Sequence, residues 1–208
     1  GGTLDPLASG VLPLLLGHAT RVAEYILGMK KRYYARIRLG AATDTYDAEG
    51  EISPRHPTDQ LTRQAVEGAL ASFQGEIRQL PPMHSALKHE GKPLYAWARA
   101  GITVERQPRT VTIYRLDLVE WDNPELTVDL DCSRGTYVRV LAHDLGQALG
   151  CGGYLAGLRR LACGHFTLEG ALSLAEVEEI AKRDAWGEVL HPLDEALRGL
   201  AAMVVDEE

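Results

Sequence analysis

Period-two alternation is clearest in the stretch YYARIRLG, where Tyr33, Ala35, Ile37 and Leu39 fall on one side and Tyr34, Arg36 and Arg38 on the other. That pattern predicts a half-buried strand with a basic outer face. A second alternation sets Leu126, Val128, Leu130 and Cys132 against Thr127, Asp129 and Asp131, and the stretch from Thr110 to Glu120 is also strand-like. In LTRQAVEGALASFQG, Leu61, Ala65, Ala69 and Phe73 recur every fourth residue before Gly75, which predicts an amphipathic helix with a glycine cap. A short helix is expected to end near Gly101, and another to carry Val138, Leu141, Ala142, Leu145 and Leu149 up to Gly150. Ser173 and Glu176 have capping-box spacing ahead of Val177 and Ile180. DTYDAEGE reads as a polar turn and SPRHPTD as a loop.

Strands and helices mix without βαβ alternation, so the expected class is α+β on a largely antiparallel sheet. The 208 residues suit a single domain, with residues 53–106 as an insertion lobe. The net charge of −7 weighs against a nucleic-acid partner when taken as a sum. Its distribution weighs the other way, because bases concentrate in KKRYYARIR while acids crowd the last third. Three cysteines without C-x-x-C spacing indicate neither a disulfide framework nor a zinc site, and fit a reducing cytosol. His84 and His89 lack ligand spacing, so no metal is expected. The apolar run GVLPLLLG is too short to span a bilayer.

Four places could carry chemistry. Asp5 sits in GGTLDPLASG, bracketed by Gly2 and Gly10 and stiffened by Pro6. Such a loop can cap a helix, or it can hold one carboxylate close to a planar ligand, where it could attack or stabilise a sugar C1′. In CSRGTYVR, Tyr137 and Arg139 lie two apart and share a face if the backbone is extended. The guanidinium would then hold a neighbouring carboxylate ionised by lowering its pKa. Tyr33 is either core packing or a phenol against a base. In LAGLRRLACGHF, Leu158 could pack on a base while Arg159 and Arg160 face phosphates.

These segments carry a resemblance. GTLDPLASGVLPLLLGHATR, KRYYARIRLGAATDTYDAEGE, PPMHSALKHEGKPLYAWARAG, RTVTIYRL, CSRGTYVRVLAHDLGQALG and YLAGLRRLACGHF follow one another as in the TruB family of bacterial tRNA pseudouridine-55 synthases. The resemblance implies the pseudouridine synthase fold. It implies isomerisation of uridine 55 in the T arm of tRNA, by a monomeric cytoplasmic protein with no metal and no organic cofactor. Asp5 falls on the family's essential aspartate and Arg139 on its charge partner. Tyr33 falls on the tyrosine that stacks on the target base, Tyr137 on a substrate-contacting tyrosine and Leu158 on a leucine of the uracil pocket. Asp5 either adds to C1′ or removes the C2′ proton, and the residues do not choose between these. Phosphates of the T stem-loop are expected on Lys30, Lys31, Arg32, Arg36, Arg38, Arg159 and Arg160. Family members carry an upstream strand and a histidine before the G-T-L-D-P loop, so the chain is expected to be N-terminally incomplete. A C-terminal PUA domain is not expected. An RNA-gripping module without turnover and a guide-directed isomerase are the competing readings.

Overall fold

The computed structural model describes residues 2–198. Strand β1 (Ala8–Gly10) is followed by a 3-10 turn and helix α1 (Ala23–Gly28), then by β2 (Lys31–Leu39). Helix α2 (Arg63–Ala71) leads into β3 (Gly75–Gln79). The hairpin β4 (Lys88–His89) and β5 (Lys92–Pro93) and helix α3 (Leu94–Arg99) come next. The long pair β6 (Arg109–Asp122) and β7 (Glu125–Cys132) precedes α4 (Val138–Ala148), β8 (Gly153–Cys163), β9 (Phe166–Thr167) and α5 (Leu174–Arg183).

Among the described residues, seven strands form one sheet in the order β1-β8-β2-β7-β6-β3, with β9 beside β8. Only β1 with β8 runs parallel; the other pairs are antiparallel, so the α+β expectation holds. β2 lies in the middle because its alternation buries Tyr33, Ala35, Ile37 and Leu39 on the face that receives the helices. Opposite them stand Leu130, Val128 and Leu126 of β7, all fully buried. Each such aliphatic side chain contributes about 1.5–3 kcal/mol by leaving water. No helix among the described residues is long and apolar enough to cross a membrane.

Two expectations need correction. The buried stripe of α2 is Val66 and Leu70, with Ala69 and Phe73 partly buried, whereas Ala65 is exposed. A row taken strictly every fourth residue drifts around a helix of 3.6 residues per turn, so a core-facing stripe mixes steps of three and four. The lobe boundary also moves. β3 pairs with β6 in the main sheet and α2 packs on the same core, so the segment that leaves the sheet runs from about residue 80 to 108. Thr62 caps α2, and the Ser173–Glu176 box forms as its spacing predicts.

Helix α4 lies flat on β8 through Gly146, where a Cβ would stand 2.0 Å from the Gly153 nitrogen and 2.2 Å from the Gly152 carbonyl carbon. Backbone cannot give way as a side chain does. Gly146→Ala is therefore expected to lift α4 from the sheet and cost about 1–3 kcal/mol. A lower urea midpoint at unchanged m-value checks this; an unchanged midpoint contradicts the close contact.

Candidate active site

The Asp5 loop is held at both ends by one side chain. Arg160, only 1% exposed, donates from Nε to the Val11 carbonyl at 2.6 Å and from a terminal nitrogen to the Gly2 carbonyl at 3.3 Å. Between these anchors the Ala8 amide donates to the Asp5 carbonyl at 2.8 Å, making the turn that presents the carboxylate. β1 then registers on β8 as Ala8 with Leu158 and Gly10 with Arg160. Gly10 has φ +105°, and a Cβ there would sit 2.2 Å from the Arg160 carbonyl oxygen, so the loop can close on β8 only with glycine at this point.

Asp5 meets Arg139 at 3.3 Å, although 134 positions separate them in the chain. The guanidinium has further partners: Asp47 at 3.5 Å and the His84 carbonyl at 2.6 Å. The side chains of Arg139 and Asp47 are 6% and 3% exposed, while that of Asp5 keeps 30% and opens to solvent. Tyr137 and Arg139 do not lie on an extended backbone as the sequence spacing invites. Tyr137 is the N-cap residue of α4 and Arg139 belongs to its first turn. A cation there opposes the helix dipole, so two carboxylates hold it against a local electrostatic preference. The Tyr137 ring still lies near, with its centroid 6.0 Å from the guanidinium carbon.

Asp47 is the member that sequence reasoning missed. Its stretch reads as a polar turn, yet the residue is buried because its backbone is pinned to β8. The Leu155 amide donates to the Tyr46 carbonyl at 3.0 Å, and the Ala48 amide donates to the Leu155 carbonyl at 2.9 Å. Its other carboxylate oxygen accepts from the Thr45 hydroxyl at 2.7 Å and the Glu49 amide at 3.1 Å. Tyr46 takes φ +68° and stacks on His143 at 4.1 Å, which turns the next side chain inward. A T-x-D in a turn was the available signal, but such turns are usually exposed.

The charge balance differs from expectation. Asp5 was expected to be held down in pKa by Arg139, but it is raised above its ordinary value of 3.8. Burial is the larger influence, the Arg139 charge pulls the other way, and the Asp47 charge adds to burial. Tyr33 is pushed up to about 12 by burial, only partly offset by the nearby Arg160 charge. The phenol therefore stays protonated at neutral pH. Tyr33 pairs with Arg160 across β2 and β8, and Leu158 lies two residues before Arg160 on the same face, packed at the edge of the core.

Two of the expected phosphate contacts, Lys31 and Arg160, are buried in the fold. Lys31 is buried and donates to the carbonyls of Ile26, Leu27 and Met29, closing the end of α1. Arg160 is buried as the loop clasp described above. Lys30 pairs with Asp131 at 3.0 Å, Arg32 with Asp129 at 2.6 Å and Arg38 with Glu125 at 3.2 Å. Arg36 and Arg159 are exposed. Arg32, Arg36, Arg38 and Arg159 nevertheless belong to the sheet face opposite Tyr33 and Leu158, since alternate residues of a strand point to opposite sides. The basic stretch is the outer half of a mixed-charge face turned away from Asp5.

Residues 1–138 match the family described as TruB family pseudouridylate synthase, N-terminal domain, and residues 139–198 match the tRNA pseudouridylate synthase B C-terminal domain. The chain is 48% identical over 208 residues to a tRNA pseudouridine synthase B of Dehalococcoides mccartyi, covering 100% of this chain and 69% of that protein. It is 51% identical to one from Burkholderia lata, covering 99% of this chain and 63% of that one. Among solved structures it is similar to a chain of a Cbf5–Nop10–Gar1 complex, with TM-score 0.70 and 29% identity over 94% of this chain and 51% of that one. It is also similar to a chain of an H/ACA RNP bound to a substrate RNA containing 2′-deoxyuridine, with TM-score 0.67 and 25% identity over 94% of this chain and 50% of that one. The chain thus spans about two thirds of these curated relatives and about half of the solved chains. With both family descriptions matched in order, and the aspartate and arginine of its two glycine-turn motifs in contact, this chain belongs to the TruB family of pseudouridylate synthases.

Proposed function

We propose that this protein isomerises uridine to pseudouridine in the T arm of tRNA, at position 55, as a cytoplasmic monomer. The observation that carries the reading is the Asp5 carboxylate, open on one side to solvent and backed on the other by Arg139 and Asp47. A nucleotide must leave its stack to bring C1′ to that carboxylate. The N1–C1′ bond then breaks, the uracil turns, and C5 bonds to C1′. The C5 proton departs and N1 acquires one, so the reaction is redox-neutral and no group is lost. Asp5 serves either by adding to C1′ or by taking the C2′ proton. Arg139 steadies its negative charge in both. Tyr33, protonated at neutral pH, is suited to stack on the extruded base and to pass a proton at C5 through its hydroxyl. Leu158 and Tyr137 would bound the pocket.

The phosphate-binding role moves from the outer sheet face to the segment that leaves the sheet. The His84 carbonyl ties the root of that segment to Arg139, and Lys88, Lys92 and Arg99 on it are exposed. Lys92 and Arg99 also lie over the rings of Trp97 and Tyr95, at 5.3 Å and 5.4 Å from the centroids, an arrangement that suits a backbone with unstacked bases.

Tritium release from T-arm RNA carrying [5-³H]uridine tests the reading. Asp5→Asn is expected to lower single-turnover release by at least about a thousandfold, with RNA binding retained. Equal release by wild type and variant would remove Asp5 from the reaction. The pH dependence adds a signed test. If ionised Asp5 is the working form, the rate falls on the acid side through a pKa above 3.8. The Asp47 charge raises that pKa, so Asp47→Asn is expected to slow the reaction and move the acid limb to lower pH. A limb that stays put or moves up contradicts the coupling.

A further inference from the structure

Gln79 is the last residue of β3, 1% exposed, and carries an uncharged amide into the core. Both ends of that amide are used on a single distant residue. Gln79 Nε2 donates to the Tyr137 carbonyl at 3.2 Å, and the Tyr137 amide donates to Gln79 Oε1 at 3.0 Å. The side chain thus pairs with the main chain of Tyr137 as a neighbouring strand would. Tyr137 is where α4 begins, and no side chain of its own caps that helix. A helix lacking a Ser, Thr, Asp or Asn cap has little to fix where its first turn starts.

Two residues further on stands Arg139. The segment after Gln79 runs through the buried prolines Pro81 and Pro82, whose rings fix φ, and reaches His84, whose carbonyl takes the Arg139 guanidinium at 2.6 Å. Arg106 fastens the same segment by donating to the Pro81 carbonyl at 2.9 Å. One stiff stretch therefore grips the first turn of α4 twice, at the Tyr137 main chain and at the Arg139 side chain.

We infer that Gln79 is a positioning residue for catalysis, a long-range N-terminal lock on α4 that sets where the Arg139 guanidinium meets Asp5. This inference rests on the isomerase reading above. A misplacement of about 1 Å at a reacting group can cost about a hundredfold in rate, so the lock acts on turnover and not on RNA capture.

The test uses the full chain and T-arm RNA. Gln79→Met keeps the volume and removes both hydrogen bonds. It is expected to lower kcat by about ten- to a hundredfold, with KM for RNA within about twofold. Added to Arg139→Lys, it is expected to cost less than about twofold more, because the two act through one group. Two readouts independent of turnover accompany it: amide exchange at Tyr137 accelerates, and the Arg139 Nε–H resonance shifts or broadens. An unchanged kcat, a loss carried by KM, or the full loss repeated in the Arg139→Lys background overturns the inference. So does an unchanged Arg139 resonance. If the wild type forms no pseudouridine, the isomerase reading fails, while the resonance and exchange data still decide whether Gln79 sets Arg139. Should Gln79→Met not fold, Gln79→Asn withdraws the same amide by one methylene and carries the same readouts.

Discussion

Arg139 is a buried cation shared by two carboxylates and a carbonyl, and the fold is arranged so that these three acceptors arrive from different parts of the chain. Asp5 comes on a loop fastened to β8, Asp47 on a turn fastened to the same strand, and His84 on the segment following β3. Buried ion pairs contribute little net stability against apolar replacements, while removing one partner costs about 3–5 kcal/mol. The arrangement is therefore better understood as preparation for chemistry than as reinforcement of the fold. One positive charge beside two negative ones leaves the site short of a cation. The Asp5 pKa is raised first by burial, with the Arg139 charge opposing and the Asp47 charge adding to it.

The central strands divide the molecule into a face that receives the helices and a charged back. Tyr33, Leu158 and the clasp Arg160 share one side of β2 and β8; Arg32, Arg36, Arg38 and Arg159 share the other. On that back face the β7 acids Asp129 and Glu125 pair with Arg32 and Arg38 of β2, while Arg115 of β6 reaches Asp129 at 2.8 Å and Asp131 at 3.4 Å and also pairs with Asp117. Exposed pairs of this kind contribute little each. Their consequence here is that Arg32 and Arg38 already face acidic partners, whereas Arg36 and Arg159 stand exposed. RNA contacts are expected from the cations of the segment that leaves the sheet.

Much of the fold was legible because it depends on local periodicity. The alternation over β2 and β7 and the apolar positions of α4 each named the buried side, and the Ser173–Glu176 spacing named a cap. The buried face of α2 was misread because a fixed four-residue step does not follow a helix for long. The lobe boundary was misread because nothing in GEIRQ reveals that it pairs with residues 109–113. The motifs single out Asp5 and Arg139, which the structure brings into contact, but the direction of the Asp5 pKa was not legible, since burial is a property of the packed molecule. Asp47 and Gln79 escaped for a related reason. An aspartate in a turn and a glutamine at a strand end are ordinary in sequence, and only contacts spanning 92 and 58 residues show what they hold.

The central claim is that the charge of Arg139 is what keeps Asp5 from being still more reluctant to ionise. The most direct measurement is an NMR titration of the Asp5 side-chain carboxyl carbon in the wild type and in Arg139→Gln, each checked for folding by its amide spectrum. The account predicts a midpoint above 3.8 in the wild type and a higher one in the variant. A midpoint that is unchanged or lower without the guanidinium would contradict it.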